Sequence, residues 1–269
     1  MQTLVCTLIL LYKNMARIGF FIQSSNQELF VNNTNVLKEY YRGVIKKNGY
    51  SIDLYSFVGD RNAEQTYENG DTIYCKCNDR YPNKKYSELF DYIKKNKRYE
   101  FILITNNTTL TNLDYLWKAI DSLDISYYYC TLEMRNALNY PNGNVKLMHW
   151  ETFLKISEVY DSAYYSVLPV YNFLWNESKY ESDIDNPYMW MGPPEDMIIG
   201  VCLYRCGIPY LRINEYYSIH EYLDAPVANV IDWGHTLFLT FKITGYYEDR
   251  LMYETEGLKD IIKNISVLK

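Results

Sequence analysis

An excess of basic residues, a disulfide pattern and long apolar runs are missing from this 269-residue sequence, and each absence excludes a class of protein. Acidic residues outnumber basic ones, 33 to 27, which argues against a nucleic-acid partner. The apolar stretch at residues 4–12 is too short to cross a bilayer, and it lacks the basic start of a signal peptide. The six cysteines form no disulfide framework. We therefore expect no nucleic acid, no transmembrane anchor and a cytoplasmic location.

Common enzyme motifs are also absent. The sequence contains none of four common motifs: Gly-x-x-x-x-Gly-Lys-Ser/Thr, Gly-x-Gly-x-x-Gly, Gly-x-Ser-x-Gly and His-Glu-x-x-His. Their absence argues, in the same order, against a phosphate-binding-loop protein, a dinucleotide enzyme, a serine hydrolase and a zinc protease. Basic residues occur in short runs at 46–47, 84–85 and 94–98. We interpret these runs as solvated charges at helix ends, where a cation meets the helix dipole favourably.

Apolar runs and helical periods alternate along the first half of the chain. The patterns predict strands at 18–22, 52–58, 73–77 and 101–104, with helices at 36–48, 85–95 and 112–122. This order indicates an α/β fold with a mostly parallel central sheet flanked by helices on both faces. Ligands of such sheets bind beyond the carboxyl ends of the strands, which directs attention to 23–26, 59–61 and 106–109.

The second half of the chain is less regular. It predicts strands at 125–130, 209–213 and 237–243, helices at 150–160, 195–206 and 259–267, and a polar, aromatic loop at 178–194. No linker or internal repeat divides the chain. We therefore expect one domain over 15–269, preceded at 1–14 by an extension or an extra edge strand.

The Glu195-Asp196 pair is the most informative candidate site. It opens a helix, where backbone N–H groups and the dipole favour an ionised carboxylate. Such a carboxylate can take a proton from an attacking hydroxyl group. An ordinary helix cap is the alternative interpretation. Tyr188 and Trp190 lie just upstream and suit a stacking platform for an acceptor sugar, with core packing as the alternative for Trp190.

At this point the sequence resembles a known family. Glu-Asp-Met-Ile-Ile-Gly at 195–200 is similar to the Glu-Asp-Val-x-x-Gly segment of the β-1,3-galactosyltransferase and Fringe family. Asp-Arg-Tyr-Pro-Asn at 79–83 is similar to the family's Asp-x-Tyr-x-Asn, and the strand before Asn106 lies where the family has its metal-binding acidic segment. The ordered matches cover about residues 51–225. Divergent transferases encoded by large DNA viruses look similar at this strand end.

The resemblance implies a GT-A, Rossmann-like glycosyltransferase domain. It would move a sugar from a nucleotide-diphosphate donor, such as a UDP-sugar, to a glycan or glycoprotein acceptor with inversion. Asp196 would be the base, with Glu195 beside it in the catalytic pair. A histidine of the family helps to bind the metal, and His220 or His235 is the candidate here. The predicted donor-binding residues are Gln23, Ser24, Arg61, Asp79, Tyr81, Lys84, Asn106, Asn107 and Thr108.

One departure from the family concerns the metal. Asn106-Asn107-Thr108 replaces the aspartates that hold Mn²⁺ or Mg²⁺, and amides are poorer ligands for a hard dication than carboxylates. Three interpretations are open: metal-independent transfer, weakly metal-dependent transfer, or lost activity. We favour the first, with Lys84, Lys85 or Arg61 offsetting the phosphate charge. The alternative function is a non-catalytic carbohydrate-binding or interaction protein on a degenerate GT-A scaffold.

Overall fold

Strands and helices alternate along most of the computed structural model, which describes residues 16–134, 140–175, 192–213, 215–220, 237–243 and 247–267. The strands are β1 (Ile18–Gln23), β2 (Ile52–Gly59), β3 (Tyr67–Asn69), β4 (Thr72–Cys75), β5 (Phe101–Asn106), β6 (Thr109–Thr111), β7 (Tyr128–Met134), β8 (Tyr140–His149), β9 (Tyr210–Arg212), β10 (Glu215–His220) and β11 (Phe238–Ile243). The helices are α1 (Glu28–Asn48), α2 (Pro82–Asn96), α3 (Leu113–Ala119), α4 (Trp150–Trp175), α5 (Glu195–Cys206) and α6 (Tyr247–Val267), and a 3₁₀ turn at Ile120–Ser122 follows α3.

An eight-stranded sheet in the order β3-β4-β2-β1-β5-β8-β7-β9 forms the centre of the fold. Strands β4, β2, β1 and β5 are parallel neighbours, while β8 is antiparallel to both β5 and β7. Strands β10, β11 and β6 form a second, small sheet. The α/β class with a mostly parallel central sheet is thereby confirmed.

Helices cover both faces of the large sheet. On one face α2, α4 and α5 pack over side chains such as Phe21 and Ile104. On the other face α1, α3 and α6 pack over Phe20 and Leu103. Strand β5 is buried on both faces, as its continuous apolar run predicts. The described helices include none with the combined length and apolarity needed to cross a bilayer.

Helix α5 begins and ends as the sequence predicts. Acidic residues occupy its first turn, and Pro194 precedes it. It ends at Gly207, whose φ of 63° lies in the left-handed region that glycine adopts without strain. The carboxylate pair is therefore placed at a true helix N-terminus.

Several predictions about secondary structure need correction. Strand β3 was not predicted, and the strand expected at 125–130 runs instead over β7. Helix α1 starts at Glu28 rather than at 36. Strand β8 was missed because Pro141, Asn142, Gly143 and Asn144 give its first half the composition of a turn, although the segment pairs with both β5 and β7.

Candidate active site

A buried lysine joins the two carboxylates at the start of α5. Lys146 Nζ lies 2.9 Å from Asp196 Oδ1 and 3.4 Å from Glu195 Oε1. The Lys146 side chain is 2% exposed, and each carboxylate side chain is 13% exposed. The predicted pair is thus part of a three-charge cluster in which the lysine is buried and the two carboxylates are slightly exposed.

Lys146 owes its position to the sheet. In β8 it pairs with Ile104 of β5 on one side and with Cys130 of β7 on the other, near the carboxyl end of β5. Burial by itself lowers the pKa of the Lys146 ammonium, but the Asp196 carboxylate in particular raises it well above its ordinary value. Lys146 therefore stays charged, and it forms ion pairs with both Glu195 and Asp196.

The Tyr86 side chain connects this cluster to the carboxyl end of β1. Lys146 Nζ lies 5.3 Å from the centroid of the Tyr86 ring. The Tyr86 hydroxyl in turn donates to Gln23 Oε1 at 3.2 Å. Gln23 is the last residue of β1 and pairs in register with Asn106 of β5. The structure thereby connects three predicted site segments, at 23, 106 and 195–196, through two residues that the sequence did not indicate.

Asp79 holds together the loops that follow β1 and β2. Its Oδ2 accepts hydrogen bonds from the Ser25 hydroxyl and from the Asn26 backbone N–H at 2.8 Å. Its Oδ1 accepts from the Gly59 backbone N–H at 2.8 Å and from Lys85 Nζ at 3.2 Å. Burial raises the pKa of Asp79, but these partners outweigh burial and lower it below its ordinary 3.8. Asp79 is therefore an ionised clamp between strand ends.

Gly59 permits this clamp to close. A Cβ atom at Gly59 would lie 2.5 Å from Asp79 Cα, a distance that no side chain can occupy without moving the backbone. The glycine at the end of β2 is thus required by close approach of two backbones, a role that its sequence context alone did not indicate.

The interpretation of Lys84-Lys85 as solvated charges at a helix end is wrong for Lys85. Both lysines lie in the first turn of α2, where the dipole disfavours a cation, and Lys85 is fully buried. Its Nζ donates to the Ser24 carbonyl at 2.8 Å and to Asp79, which offsets the burial of its charge. Lys84 is exposed, with Nζ 5.0 Å from the centroid of the Tyr81 ring.

The remaining predicted donor-binding residues lie at strand ends with different surroundings. The Ser24 hydroxyl is buried against Thr34 Oγ1 at 2.8 Å. Arg61 is exposed on the turn after β2. Asn107 and Thr108 are buried in the turn between β5 and β6, and the Asn107 amide donates to the Phe30 carbonyl at 3.1 Å. Ser24 and Asn107 thus have partners within the protein.

Asn106 differs from these residues. Its amide donates to Asn144 Oδ1 at 2.7 Å, while its own Oδ1 is buried without a hydrogen-bond partner in the described structure. Within the described ranges no three His, Cys, Asp or Glu side chains approach closely enough to hold a metal ion. The neutral amides at this strand end do not fit Mn²⁺ or Mg²⁺, and no step is assigned to a metal here.

Tyr188, Trp190 and His235 lie outside the described residues. His220 ends β10, where its backbone pairs with Ile243 of β11.

Three functional candidates were missed by sequence reasoning. Lys146 lies in β8, whose first half has the composition of a turn, and Tyr86 lies in α2, whose sequence is that of an ordinary amphipathic helix. Asn26 follows β1 inside the indicated ligand region, and its side chain donates to the Gly59 carbonyl at 2.7 Å. Only Asn26 carried a usable signal, its position after a parallel strand.

No protein-family model and no curated protein matches the chain. Among solved structures it is similar to a glycosyltransferase involved in the glycosylation of the major capsid of PBCV-1, with 18% identity and a TM-score of 0.47, covering 89% of this chain and 99% of that chain. It is also similar to the galactosyltransferase LgtC in complex with donor and acceptor sugar analogues, with 11% identity, a TM-score of 0.43, and coverage of 91% and 95%.

A third similar structure is the apo form of the glycosyltransferase GlyE from Streptococcus pneumoniae TIGR4. Its identity to this chain is 11% and its TM-score 0.42, and the match covers 94% of this chain and 64% of that chain. At identities this low and TM-scores below one half, these likenesses do not assign an activity.

Proposed function

We propose that this chain is a glycosyltransferase that moves a sugar from a nucleotide-diphosphate donor, such as a UDP-sugar, to a hydroxyl group of a glycan or glycoprotein. One observation carries the proposal: the Glu195-Asp196 pair at the start of α5, held by the buried Lys146 beside the carboxyl end of β5. A preorganised carboxylate at this edge of a parallel sheet is suitably placed for proton transfer to a bound substrate.

In the proposed reaction Asp196 is the general base. Its Oδ1 accepts from Lys146, and its Oδ2 takes the proton of the acceptor hydroxyl. The acceptor oxygen forms a bond to the anomeric carbon, and the bond from that carbon to the diphosphate oxygen breaks. The electron pair leaves with the nucleoside diphosphate, and attack from the opposite face inverts the anomeric configuration. Lys146 holds Asp196 in place through the ion pair at 2.9 Å, and Glu195 shares the same ammonium group.

The donor is proposed to lie at the carboxyl ends of β1, β2 and β5. The unpartnered Oδ1 of Asn106 supports this placement, because a buried acceptor without a donor is the group that a ribose or sugar hydroxyl would satisfy. Arg61, exposed after β2, is the proposed source of positive charge for the diphosphate, with Lys84 as a second candidate. Lys85 is buried and forms an ion pair with Asp79, so we do not assign it to the diphosphate.

We also propose that the protein works in the cytoplasm and belongs with the divergent transferases encoded by large DNA viruses. All five cysteines in the described part of the chain are free, which supports a reducing compartment.

The test is turnover of a panel of nucleotide sugars by the purified full chain, measured as release of nucleoside diphosphate. Asp196→Asn is expected to lower kcat by about 10²–10⁴-fold, the usual contribution of a general base. Glu151→Gln is the matched control, since Glu151 is an acid in the first turn of α4. Equal turnover by Asp196→Asn and the wild type would refute the base assignment, and a product that retains the donor's anomeric configuration would refute inversion.

A second candidate function is non-catalytic carbohydrate binding or protein interaction on a degenerate scaffold. The observation that favours it is the neutral Asn106-Asn107 pair at the end of β5, where a metal-dependent transferase needs acids. Calorimetric titration with UDP, with and without Mn²⁺, separates the two candidates. Binding that is unaffected by Mn²⁺ supports the transferase proposal, and absence of binding under both conditions supports the second candidate.

A further inference from the structure

The Tyr86 ring is held by packing beneath the carboxyl ends of the strands. Tyr86 lies in α2 and is fully buried. Its ring packs edge-on against Phe57 and Phe90, with centroids 5.5 and 5.7 Å away. Two such contacts restrict the ring, because a close-packed interior leaves little room for another orientation. The position of the Tyr86 hydroxyl group is therefore set by the core.

This hydroxyl group lies between Lys146 and Gln23. Burial raises the pKa of Tyr86, the charge of Lys146 and a hydrogen bond from it lower that pKa, and the net shift is upward, so the hydroxyl stays protonated. An ammonium group has hydrogens to donate and no lone pair with which to accept. The Tyr86 oxygen is therefore the acceptor of the bond from Lys146, and its own hydrogen is donated to Gln23 Oε1 at 3.2 Å.

The bond from Tyr86 distinguishes the two ends of the Gln23 amide. Since Oε1 accepts from Tyr86, the NH₂ group of the same planar amide is directed elsewhere. Within the described ranges no atom accepts a hydrogen bond from Gln23 Nε2, and the side chain is partly exposed. Nε2 also keeps contact with solvent, in contrast to Asn106 Oδ1, which is enclosed. A bound molecule can therefore reach Nε2.

Gln23 lies where a ligand is expected. It is the last residue of β1 and pairs in register with Phe57 of β2 and Asn106 of β5. The carboxyl ends of parallel strands form the edge at which ligands of α/β sheets bind. An amide NH₂ group at this edge offers a hydrogen-bond donor to an oxygen atom of a ligand.

We propose that Tyr86 is a positioning residue, which turns the Gln23 amide so that its NH₂ group donates a hydrogen bond to an oxygen atom of the nucleotide-sugar donor. This role rests on the proposed function, because it requires that donor. Tyr86 itself touches no substrate. It connects Lys146, the partner of Asp196, to a side chain that binds the donor, so one buried ammonium group orients both the base and Gln23.

Steady-state kinetics of the purified full chain, with a nucleotide sugar that the wild type turns over, test this role. Tyr86→Phe keeps the buried ring, and Gln23→Leu removes the amide. Each variant should raise KM for the nucleotide sugar about three- to tenfold, the usual effect of losing a neutral hydrogen bond. Each should leave kcat within about twofold of the wild type, because a bond made equally in the ground state and the transition state affects binding alone.

The double variant tests whether Tyr86 acts through Gln23. Its KM should be no higher than that of Gln23→Leu, since the two residues form one link. The role is overturned if the two effects on KM multiply in the double variant. It is also overturned if Tyr86→Phe lowers kcat more than it raises KM, which would place its effect at Lys146 and Asp196.

Tyr99→Phe is the matched control. Tyr99 is buried on the same face of the sheet, and its hydroxyl donates to Asp53 Oδ2 at 3.1 Å, near the start of β2 and away from the carboxyl ends. Its loss should leave KM and kcat unchanged, and a rise in KM equal to that of Tyr86→Phe would contradict a specific role.

Failure of this role and failure of the proposed function give different results. A wild type that turns over no nucleotide sugar refutes both. An active wild type whose KM is unchanged in Tyr86→Phe refutes the positioning role and leaves the proposed function standing.

Discussion

Lys146 is the residue on which the electrostatics of the candidate site depend. A buried ammonium group is strongly unfavourable unless carboxylates compensate it, and here two carboxylates do so. The dependence is mutual, because Glu195 and Asp196 are neighbours in one helix turn and would repel each other without Lys146. Removing the lysine therefore leaves two adjacent carboxylates without a counter-charge, which should destabilise the folded protein.

We predict that Lys146→Met lowers the free energy of unfolding by about 3–5 kcal/mol, the usual result of breaking a buried ion pair. Urea denaturation followed by circular dichroism measures it. Lys155→Met, which removes an exposed lysine of α4, should change the stability by less than about 0.5 kcal/mol. A loss below about 1 kcal/mol for Lys146→Met would mean that the carboxylates do not need this charge.

The lowered pKa of Asp79 should make the stability of the protein depend on pH. Its pKa in the folded protein lies below the ordinary 3.8, so the unfolded chain binds its proton more tightly. The stabilisation is therefore complete above pH 3.8 and disappears as the pH falls from there through the lowered folded pKa. Asp79→Asn should cost about 1.5–3 kcal/mol at neutral pH, because it weakens hydrogen bonds to a charged group.

Asp79→Asn has no carboxyl group at position 79. Its stability should therefore not fall with pH through protonation of that residue. Urea midpoints of wild type and Asp79→Asn, measured from pH 7 to pH 2.5, should therefore converge in acid. Parallel curves over the whole range would show that Asp79 does not clamp the strand ends as an ion.

At the scale of elements, the sequence predicts what local patterns determine and misses what strand pairing determines. The bounds of α5 follow from prolines, acids and a glycine, all within one segment, and they match the structure. Strand β8 begins with turn-forming residues and is held in the sheet by β5 and β7. No local pattern records that pairing, so the strand that carries Lys146 could not be predicted.

The same limit applies to the site. Local patterns indicated each part of the site separately. Turn residues after apolar runs marked the ends of β1 and β5, and prolines followed by acids marked the start of α5. The connection among them runs through Tyr86 and Lys146, which come from separate elements on one face of the sheet. Asp79 was indicated by a motif, but its clamp on Ser25 and Gly59 needed the fold.

At the scale of the whole molecule, the two apolar layers share one sheet. Phe90 packs with Phe153 and Tyr160 on the α2 and α4 face, while Leu116 is buried on the opposite face. Adjacent residues of β1 and β5 point alternately into the two layers, so neither layer can lose its packing without disturbing strands of the other. The layers should therefore unfold together, as the prediction of one domain over 15–269 requires.

This argument predicts that Phe90→Ala and Leu116→Ala shift the same unfolding transition. Their expected costs are about 3–5 and 2–5 kcal/mol, the usual range for truncating buried aromatic and aliphatic side chains. Tryptophan fluorescence and far-ultraviolet circular dichroism should give coincident midpoints for both variants and for the wild type. Two separate transitions, each moved by only one of the variants, would instead divide the chain into two folding units, because a shared sheet cannot unfold on one face alone.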